Sequence, residues 1–525
     1  LTTKETIMEL TRRRVVSSFI FKNLSPASAD PPKVALFRRS AKVRTYQHRL
    51  APISGSIDQS DASPLDAAWR EIQEETTLTK KSLRLRRQGK SYSFIDEGLN
   101  REWVIFPFIF ELIPTQSGGK GEAGIIIDWE HDEWGWYNPR EVEDSESFGG
   151  VPNLAVSLRR AWIEYDIGNK AGERLDSGLQ TLQTDHKSGA RVLAVKALET
   201  FANTVGVLDF QSKDEWWKHT RMVAWNIWKN GRESMGAAIL NILISSLKLV
   251  ESSVLPKWSE MSRSDREKTI PTLLKEYGDQ RLELNKNISA AFQSFIEGGY
   301  PSDRPLRILT LSASSTITKC LTNALETTNF SFDIRILESR PLFEGASLAA
   351  NLVEFIEQLN RTSTKPNQNT VTVYTDACAA IAAQQVDLVL LGADVISSNG
   401  DTCNKVGSLP TVLSAKHVSP NVKVVVVADK EKVFPLAPPP HEENDNQEVT
   451  GSWRAIEATK TAERAIVGHQ SNERPIGDVK NYYFEWVESD LIDNYILENG
   501  CMTAGDIQEL ASAVKEDAGR FFDDL

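Results

Sequence analysis

The residues best placed to do chemistry lie in SPLDAAWREIQEETTL, positions 63–78, where Arg70, Glu71, Glu74 and Glu75 fall on one short predicted helix. Residues three and four apart share a helix face, so Glu71, Glu74 and Glu75 converge while Leu65 and Ile72 can turn inward. Three carboxylates on one face repel each other unless a cation sits among them. Hard oxygen donors of this kind suit Mg²⁺ or Mn²⁺, above all when substrate phosphates complete the shell. The competing reading is a solvated acidic face on which Arg70 pairs with Glu74.

The elements around this helix are legible too. Ser63 is a good N-cap, Pro64 fits the first helical position, and Asp66 completes a capping-box pattern. Residues 15–22, 33–38, 84–95 and 102–112 read as strands by their β-branched and aromatic content. Gly and Ser mark a loop at 117–124, and WEHDEWGWYNPREVED brings Glu130 and Glu133 beside Trp134 and Trp136. A helix is expected at 151–164.

The core Arg-Glu-Ile-Gln-Glu-Glu (70–75), set between such strands, resembles the box of the Nudix hydrolases. The resemblance covers about the first 160 residues and implies an α/β/α sandwich. It implies that Glu71, Glu74 and Glu75 hold Mg²⁺ or Mn²⁺, and that either Glu130 or Glu133 is the general base. Three box positions depart: Ser56 and Thr77 stand where Gly is usual, with Gly55 one residue early, and Ala62 stands where Glu is usual.

The remainder of the chain has a different character. Residues 165–180 are polar without a clear period, as in a linker, and 187–297 read as helical almost throughout. The apolar run AAILNILISSLKLV is interrupted by polar residues and reads as a buried helix, so no membrane partner is expected. From 306, LRILTL, FDIRILE, TVTVYT, VDLVLLG and VKVVVVAD alternate with helical segments. All-apolar strands of this kind predict a doubly wound parallel sheet covered on both faces, with ligands at the carboxyl ends of its strands. Residues 437–475, with PPPHEENDNQE, read as an acidic surface insertion. NYYFEWV reads as a strand and AGDIQELASAVKEDAGRFF as a terminal helix. The fold class expected is therefore α/β and α+β multidomain: a first domain over 1–165, a linker over 166–180, a helical subdomain over 181–300 and a Rossmann-like α/β domain over 301–525.

Polar residues follow those strands: Ser312, Glu338, Arg340, Asp376, Asp394, then Asn399, Gly400, Asn404, Lys405 and Gly407. Arg340 and Lys405 suit phosphate as a fork and a point charge. The phrases ILTLSASS, LESRPLFEGASLA and LLGADVISSNGDTCNKVGS, with DHKSGARVLAVKAL and NGRESMGAAILN upstream, are similar to one family. That family unites methylthioribose-1-phosphate isomerase, ribose-1,5-bisphosphate isomerase and the alpha, beta and delta subunits of eukaryotic initiation factor 2B. The resemblance covers roughly 180–525. It implies a catalytic Asp394, a ligand pocket built from Gly189, Arg232, Ser312, Arg340, Asp394, Asn404 and Lys405, and a homodimer through the C-terminal domain. The isomerase cysteine falls on Ser312, whose hydroxyl lacks the acidity of a thiol, so loss of isomerase turnover is expected. Cys403, near the crevice in sequence, is a weaker substitute.

Net charge is −12, which disfavours nonspecific nucleic-acid binding. Four cysteines form no close-spaced metal pair and no disulfide pattern, consistent with a reducing compartment; cytosol is the expected location, with a segment ahead of Leu1 left open. Two functions follow as expectations. One is metal-dependent hydrolysis of a nucleoside diphosphate-linked substrate, coupled to binding of a sugar phosphate or nucleotide. The other is a non-catalytic sensor of such ligands, or an initiation factor 2B-like regulatory protein.

Overall fold

The computed structural model describes residues 10–24, 30–185, 188–281, 284–362, 368–435, 443–454, 456–459, 461–467 and 477–525. The N-terminal sheet runs in the order Leu50–Ala51, Lys33–Arg39, Thr11–Lys22, Arg101–Leu112, Leu83–Gln88. Thr11–Lys22 and Arg101–Leu112 are parallel; Ile53–Ser56, Tyr92–Asp96 and His131–Tyr137 add antiparallel partners. The stretch expected as one strand at 84–95 is thus two, broken at Gly89, where any Cβ would lie 2.7 Å from the Arg160 and Ala161 backbone.

Alternation along these strands feeds two cores. One face packs Ala67, Ala68 and Ile72 of helix Pro64–Thr76 against Val16, Ile20 and Phe110. The other packs Leu154, Ala155 and Leu158 of helix Leu154–Ala161 against Phe19, Phe21 and Ile109. The result is an α/β/α sandwich. Ser63 accepts a hydrogen bond from the Asp66 N–H at 3.2 Å, and Pro64 opens the helix. The residue that caps its C-terminus, Thr77, is left-handed at φ 61°, a costly conformation for a β-branched side chain. Thr77→Gly is therefore expected to stabilise the protein by about 1 kcal/mol in denaturant unfolding; a loss of stability would show that the weak contact of the Thr77 hydroxyl with the Gly124 carbonyl outweighs the strain.

Residues 165–180 are not a linker. Helix Asn169–Thr184 buries Ala171, Leu175, Leu179 and Leu182, a four-four-three stripe hidden among polar neighbours. It joins Ala190–Val205, Lys213–Asn230 and Gly236–Ser253 in one helical core. Gly236–Ser253 is long and apolar enough by composition to cross a membrane, but Ile239, Leu240, Ile242, Leu243 and Leu247 lie inside that core. The sandwich docks on this bundle. Arg87 pairs with Glu164 and, at 2.8 Å, with Asp176; the Asn230 side chain accepts from the Gln88 N–H at 2.7 Å and donates to its carbonyl at 3.0 Å.

The second sheet has the order Thr370–Tyr374, Phe332–Leu337, Leu306–Leu311, Leu388–Leu391, Lys423–Val427, Asn494–Leu497, Gly500–Met502. All neighbours are parallel except the last pair, and helices cover both faces. Two boundaries shift from expectation. Helix Leu284–Gly299 puts Ile288, Phe292 and Ile296 into the sheet's core rather than the bundle, while Phe521 and Phe522 of helix Ala504–Phe522 return to the bundle. NYYFEWV contributes Phe484–Val487 to a separate three-stranded sheet with Val395–Ile396 and Thr402–Lys405. The segment read as a surface insertion lies partly outside the described residues; its part 446–454 is a helix with Thr450 buried.

Candidate functional sites

The glutamate helix meets three other elements at its C-terminal half. Glu71 lies against Gly55, where a Cβ would stand 1.9 Å from the Glu71 carboxyl carbon. Arg70 donates to Glu71 at 2.7 Å and Glu74 at 3.3 Å, and also to Asp61 at 2.9 and 3.1 Å and the Ser56 carbonyl at 3.0 Å. Glu75 is buried and shares a 2.5 Å hydrogen bond with His131 Nε2, while its Oε1 and His131 Nδ1 have no hydrogen-bond partner among the described residues.

The electrostatics single out this corner. Burial raises the Glu75 carboxyl well above its ordinary value, and Glu130, Glu71 and Asp128 push it further. Glu71 and Glu130 are raised for the same first reason, burial, with neighbouring carboxylates adding to it. Burial holds His131 down at about 4. Arg39 is the cation facing Glu75 and Glu130. Glu133 points elsewhere, 2.6 Å from Arg38 and largely exposed, so of the two alternatives Glu130 is the one beside the glutamate helix.

Glu71, Glu75 and Glu130 thus share one electrostatic neighbourhood, with Glu74 at its exposed edge. Among the described residues no three Asp, Glu, His or Cys side chains stand as a ready-made metal-binding group. The donor chemistry nevertheless fits a hard divalent ion, since an orphaned buried carboxylate oxygen lies in the field of three other carboxylates. Such a site releases protons when a cation enters. The raised folded pKa of Glu75 keeps its proton where the unfolded chain has lost it. Its stabilisation is full below the ordinary carboxylate range and is lost as pH rises through the folded value. His131, lowered to about 4, has the opposite sign between there and 6.5 and offsets Glu75 in that window. Without metal, wild type should therefore fall below Glu75→Gln in Tm as pH rises above about 6.5, and Mg²⁺ should remove the gap; parallel scanning calorimetry curves would refute this.

Arg39, Asp61, Asp128 and His131 escaped the sequence reading. Arg39 and His131 come from strands distant in sequence. Gly55 and Asp61 carried a signal: they keep the box spacing of Gly, five residues, acid, displaced by one residue. Ser56 and Ala62 are therefore not replacements in space; Gly55 admits Glu71, and Asp61 holds Arg70. Behind Gly55 a cavity of about 180 Å³, walled by Tyr46, Phe94 and Trp103, opens beside Arg39.

In the second half, Ser312, Arg340, Asp376 and Asp394 all follow carboxyl ends of the parallel strands, and Ser312 and Asp394 flank the point where strand order reverses. Ser312 is left-handed at φ 66°, with its N–H on Ser339 Oγ at 2.7 Å. Asp376 accepts from the Ser339 and Arg340 N–H groups, both at 2.8 Å. Asp394 lies 3.8 Å from Lys432, a buried lysine the sequence reading missed. Pairing of Thr402–Lys405 with Phe484–Val487 places Asn404, bonded to Ser408 at 2.8 Å, and Lys405, bonded to Glu344 at 2.7 Å and lying over the Tyr483 ring. Arg232 is buried, donates to the Asp185 carbonyl at 2.9 Å and bears electrostatically on Tyr483. Gly189 caps helix Ala190–Val205. Arg340 is exposed, but its guanidinium bonds to Ser452, and Tyr483 to Glu448, so one face of helix 446–454 spans both residues. Cys403 is buried, and its thiol is pushed up by that burial, so it offers no thiolate to replace Ser312.

Fold and sites together define a two-part α/β protein, a carboxylate-lined sandwich joined to a helical bundle and a doubly wound sheet. Residues 13–155 match the NUDIX domain, and residues 186–504 match the Initiation factor 2 subunit family. The chain belongs to that family, with a NUDIX domain at its N-terminal side. It is similar to methylthioribose-1-phosphate isomerase of Schizosaccharomyces japonicus, 26% identical over 40% of this chain and 60% of the relative. The isomerase of Bacillus cereus is 30% identical over 34% of this chain and 45% of the relative. The matches thus span about half the length of these curated relatives. Among solved structures, the translation initiation factor eIF-2B of Pyrococcus horikoshii OT3 is 20% identical, with a TM-score of 0.44 over 64% of this chain and 99% of that one. The eIF2B-beta2-delta2 complex of C. thermophilum gives 14% and 0.45, over 66% and 96%.

Proposed function

We propose that the NUDIX domain hydrolyses a nucleoside diphosphate linked to a second group, using Mg²⁺ or Mn²⁺. The supporting observation is the buried, unpartnered Glu75 oxygen in the field of Glu71, Asp128 and Glu130. Glu71 and Glu75, with Glu74 at the edge, would hold the ion, which supplies charge neutralisation and a more acidic water. Asp61 and Arg70 hold Glu71 against Gly55. Arg39 positions the diphosphate, and the Tyr46–Phe94–Trp103 cavity takes the planar base. Glu130 removes a proton from water as its oxygen attacks one phosphorus. The bridging P–O bond breaks, giving a nucleoside monophosphate and a phosphorylated partner. Protein with Mg²⁺ and a panel including ADP-ribose and dinucleotides should release nucleoside monophosphate on chromatography; no release from any substrate would defeat the reading.

The C-terminal crevice is proposed to bind a sugar phosphate or nucleotide without isomerising it. Among the described residues no base is hydrogen-bonded to the Ser312 hydroxyl, and Lys405 is held by Glu344. A ligand phosphate would take Lys405 from Glu344 and displace helix 446–454 from Arg340. Ribose 5-phosphate should raise Tm by at least about 2 °C at 100 times its Kd, less in Lys405→Met. A flat response at millimolar ligand would remove this proposal. A regulatory role without turnover at either site is the second reading; the internal pairing of Lys405 and Arg340 favours it for this crevice. Pairing of two copies through the C-terminal domain, in the cytosol, is part of the same proposal and is read by light scattering and by localisation of a tagged chain.

A further inference from the structure

A separate cavity of about 260 Å³ opens where the sandwich, helix Lys213–Asn230 and the terminal helix Ala504–Phe522 meet. Lys90, Lys229 and Lys515 line it, one from each element, against the single carboxylate of Asp523. Trp225 and Trp228, 7% and 9% exposed, form its wall, and Trp228 stacks on Phe522 at 5.7 Å. The Lys229 ammonium sits 3.8 Å above the Trp228 ring. Among the described residues none of the three lysines has a hydrogen-bonded or ion-paired ammonium. None of the residues lining this cavity belongs to the glutamate site or the crevice.

Three cations drawn from three elements into one pocket repel each other. Lys90 and Lys229 are close enough to feel each other's charge, and burial, the larger cause, lowers both. Arg160 adds positive charge beside Lys90, while Asp523, Asp524 and Glu233 oppose it from the rim. Asp524 is already tied to Arg221 at 2.6 Å. Lys90 and Lys229 are half-buried and Lys515 is exposed; partly desolvated ammonium groups without partners carry a cost, and an anion of more than one charge reduces it. Lysine binds phosphate as a point charge, and three separated ammonium groups suit two linked phosphates better than one.

We propose that this junction is a binding site for a diphosphate group, free or carried on a nucleotide. The ligand bridges the sandwich to the bundle and the terminal helix. Calorimetry on the full chain without divalent cations, which keeps the glutamate site out of play, tests it with pyrophosphate, ADP and orthophosphate. Pyrophosphate should bind wild type and the crevice variant Arg232→Ala/Lys405→Ala alike, and bind Lys90→Met/Lys229→Met at least tenfold more weakly. Equal affinity for ADP supports recognition of the diphosphate itself; tighter ADP binding supports a nucleotide. No binding to wild type, an unchanged affinity in the double lysine variant, or orthophosphate binding as tightly as pyrophosphate overturns the assignment. Should the double variant not fold, Lys515→Met on the exposed helix serves as the second test, with the same weakening expected. Pyrophosphate binding lost only in the crevice variant would place the anion in the crevice and refute this site while leaving the proposed function intact.

Discussion

Glu75→Gln is expected to lower metal-dependent hydrolysis by about 10³-fold, roughly 4 kcal/mol of transition-state stabilisation, without lowering the Tm of the metal-free protein. The two readouts move apart because Glu75 does opposite things in the two states. Without a cation its carboxyl is buried beside Glu71, Asp128 and Glu130, so replacing it with a neutral isostere relieves repulsion. With a cation the same oxygen is a ligand, and an amide oxygen is a weaker one. The hydrogen bond with His131 survives, since the glutamine can either donate or accept there. Rates with Mg²⁺ and scanning calorimetry in chelator check both halves. A variant that keeps its rate would remove Glu75 from the chemistry. One that loses both rate and metal-free Tm would make Glu75 a structural residue.

Gly55→Ala should cost about 10²-fold in kcat/KM with less than about 1 kcal/mol of stability. The added Cβ would stand 1.9 Å from the Glu71 carboxyl carbon, so the side chain must leave its place. That movement is inexpensive for folding, because the far end of a glutamate can rotate toward solvent. It is expensive for chemistry, because Glu71 then abandons the position that Arg70 and Asp61 fix. Loss should appear mainly in kcat and in metal affinity, with a smaller rise in KM for the base-bearing substrate, because Gly55 also lines the Tyr46–Trp103 cavity. An equal loss of stability and rate would mean that Gly55 serves packing alone.

Much of this molecule was readable along the chain because the deciding interactions are local. Spacing of three and four put Glu71, Glu74 and Glu75 on one helix, and Ser63 and Pro64 set where it starts. All-apolar runs from 306 marked a sheet covered on both faces, and that sheet is present. The reading failed where polar composition concealed a short stripe, as in helix Asn169–Thr184, whose four small or aliphatic contacts sit among charges. It also failed at Leu284–Gly299, because an amphipathic pattern tells that a face is buried but not against which partner.

Sequence by itself determined the residue types of both sites and the strand ends from which the crevice is built. Tertiary structure alone decided which of these groups meet. Arg39 and His131 reach Glu75 across strands far apart in the chain, Asp61 instead of position 62 takes Arg70, and helix 446–454 reaches Arg340. The physical reason is that a side chain's charge state and partners depend on what burial removes from water around it. Burial of that kind is set by long-range packing, which no local spacing encodes.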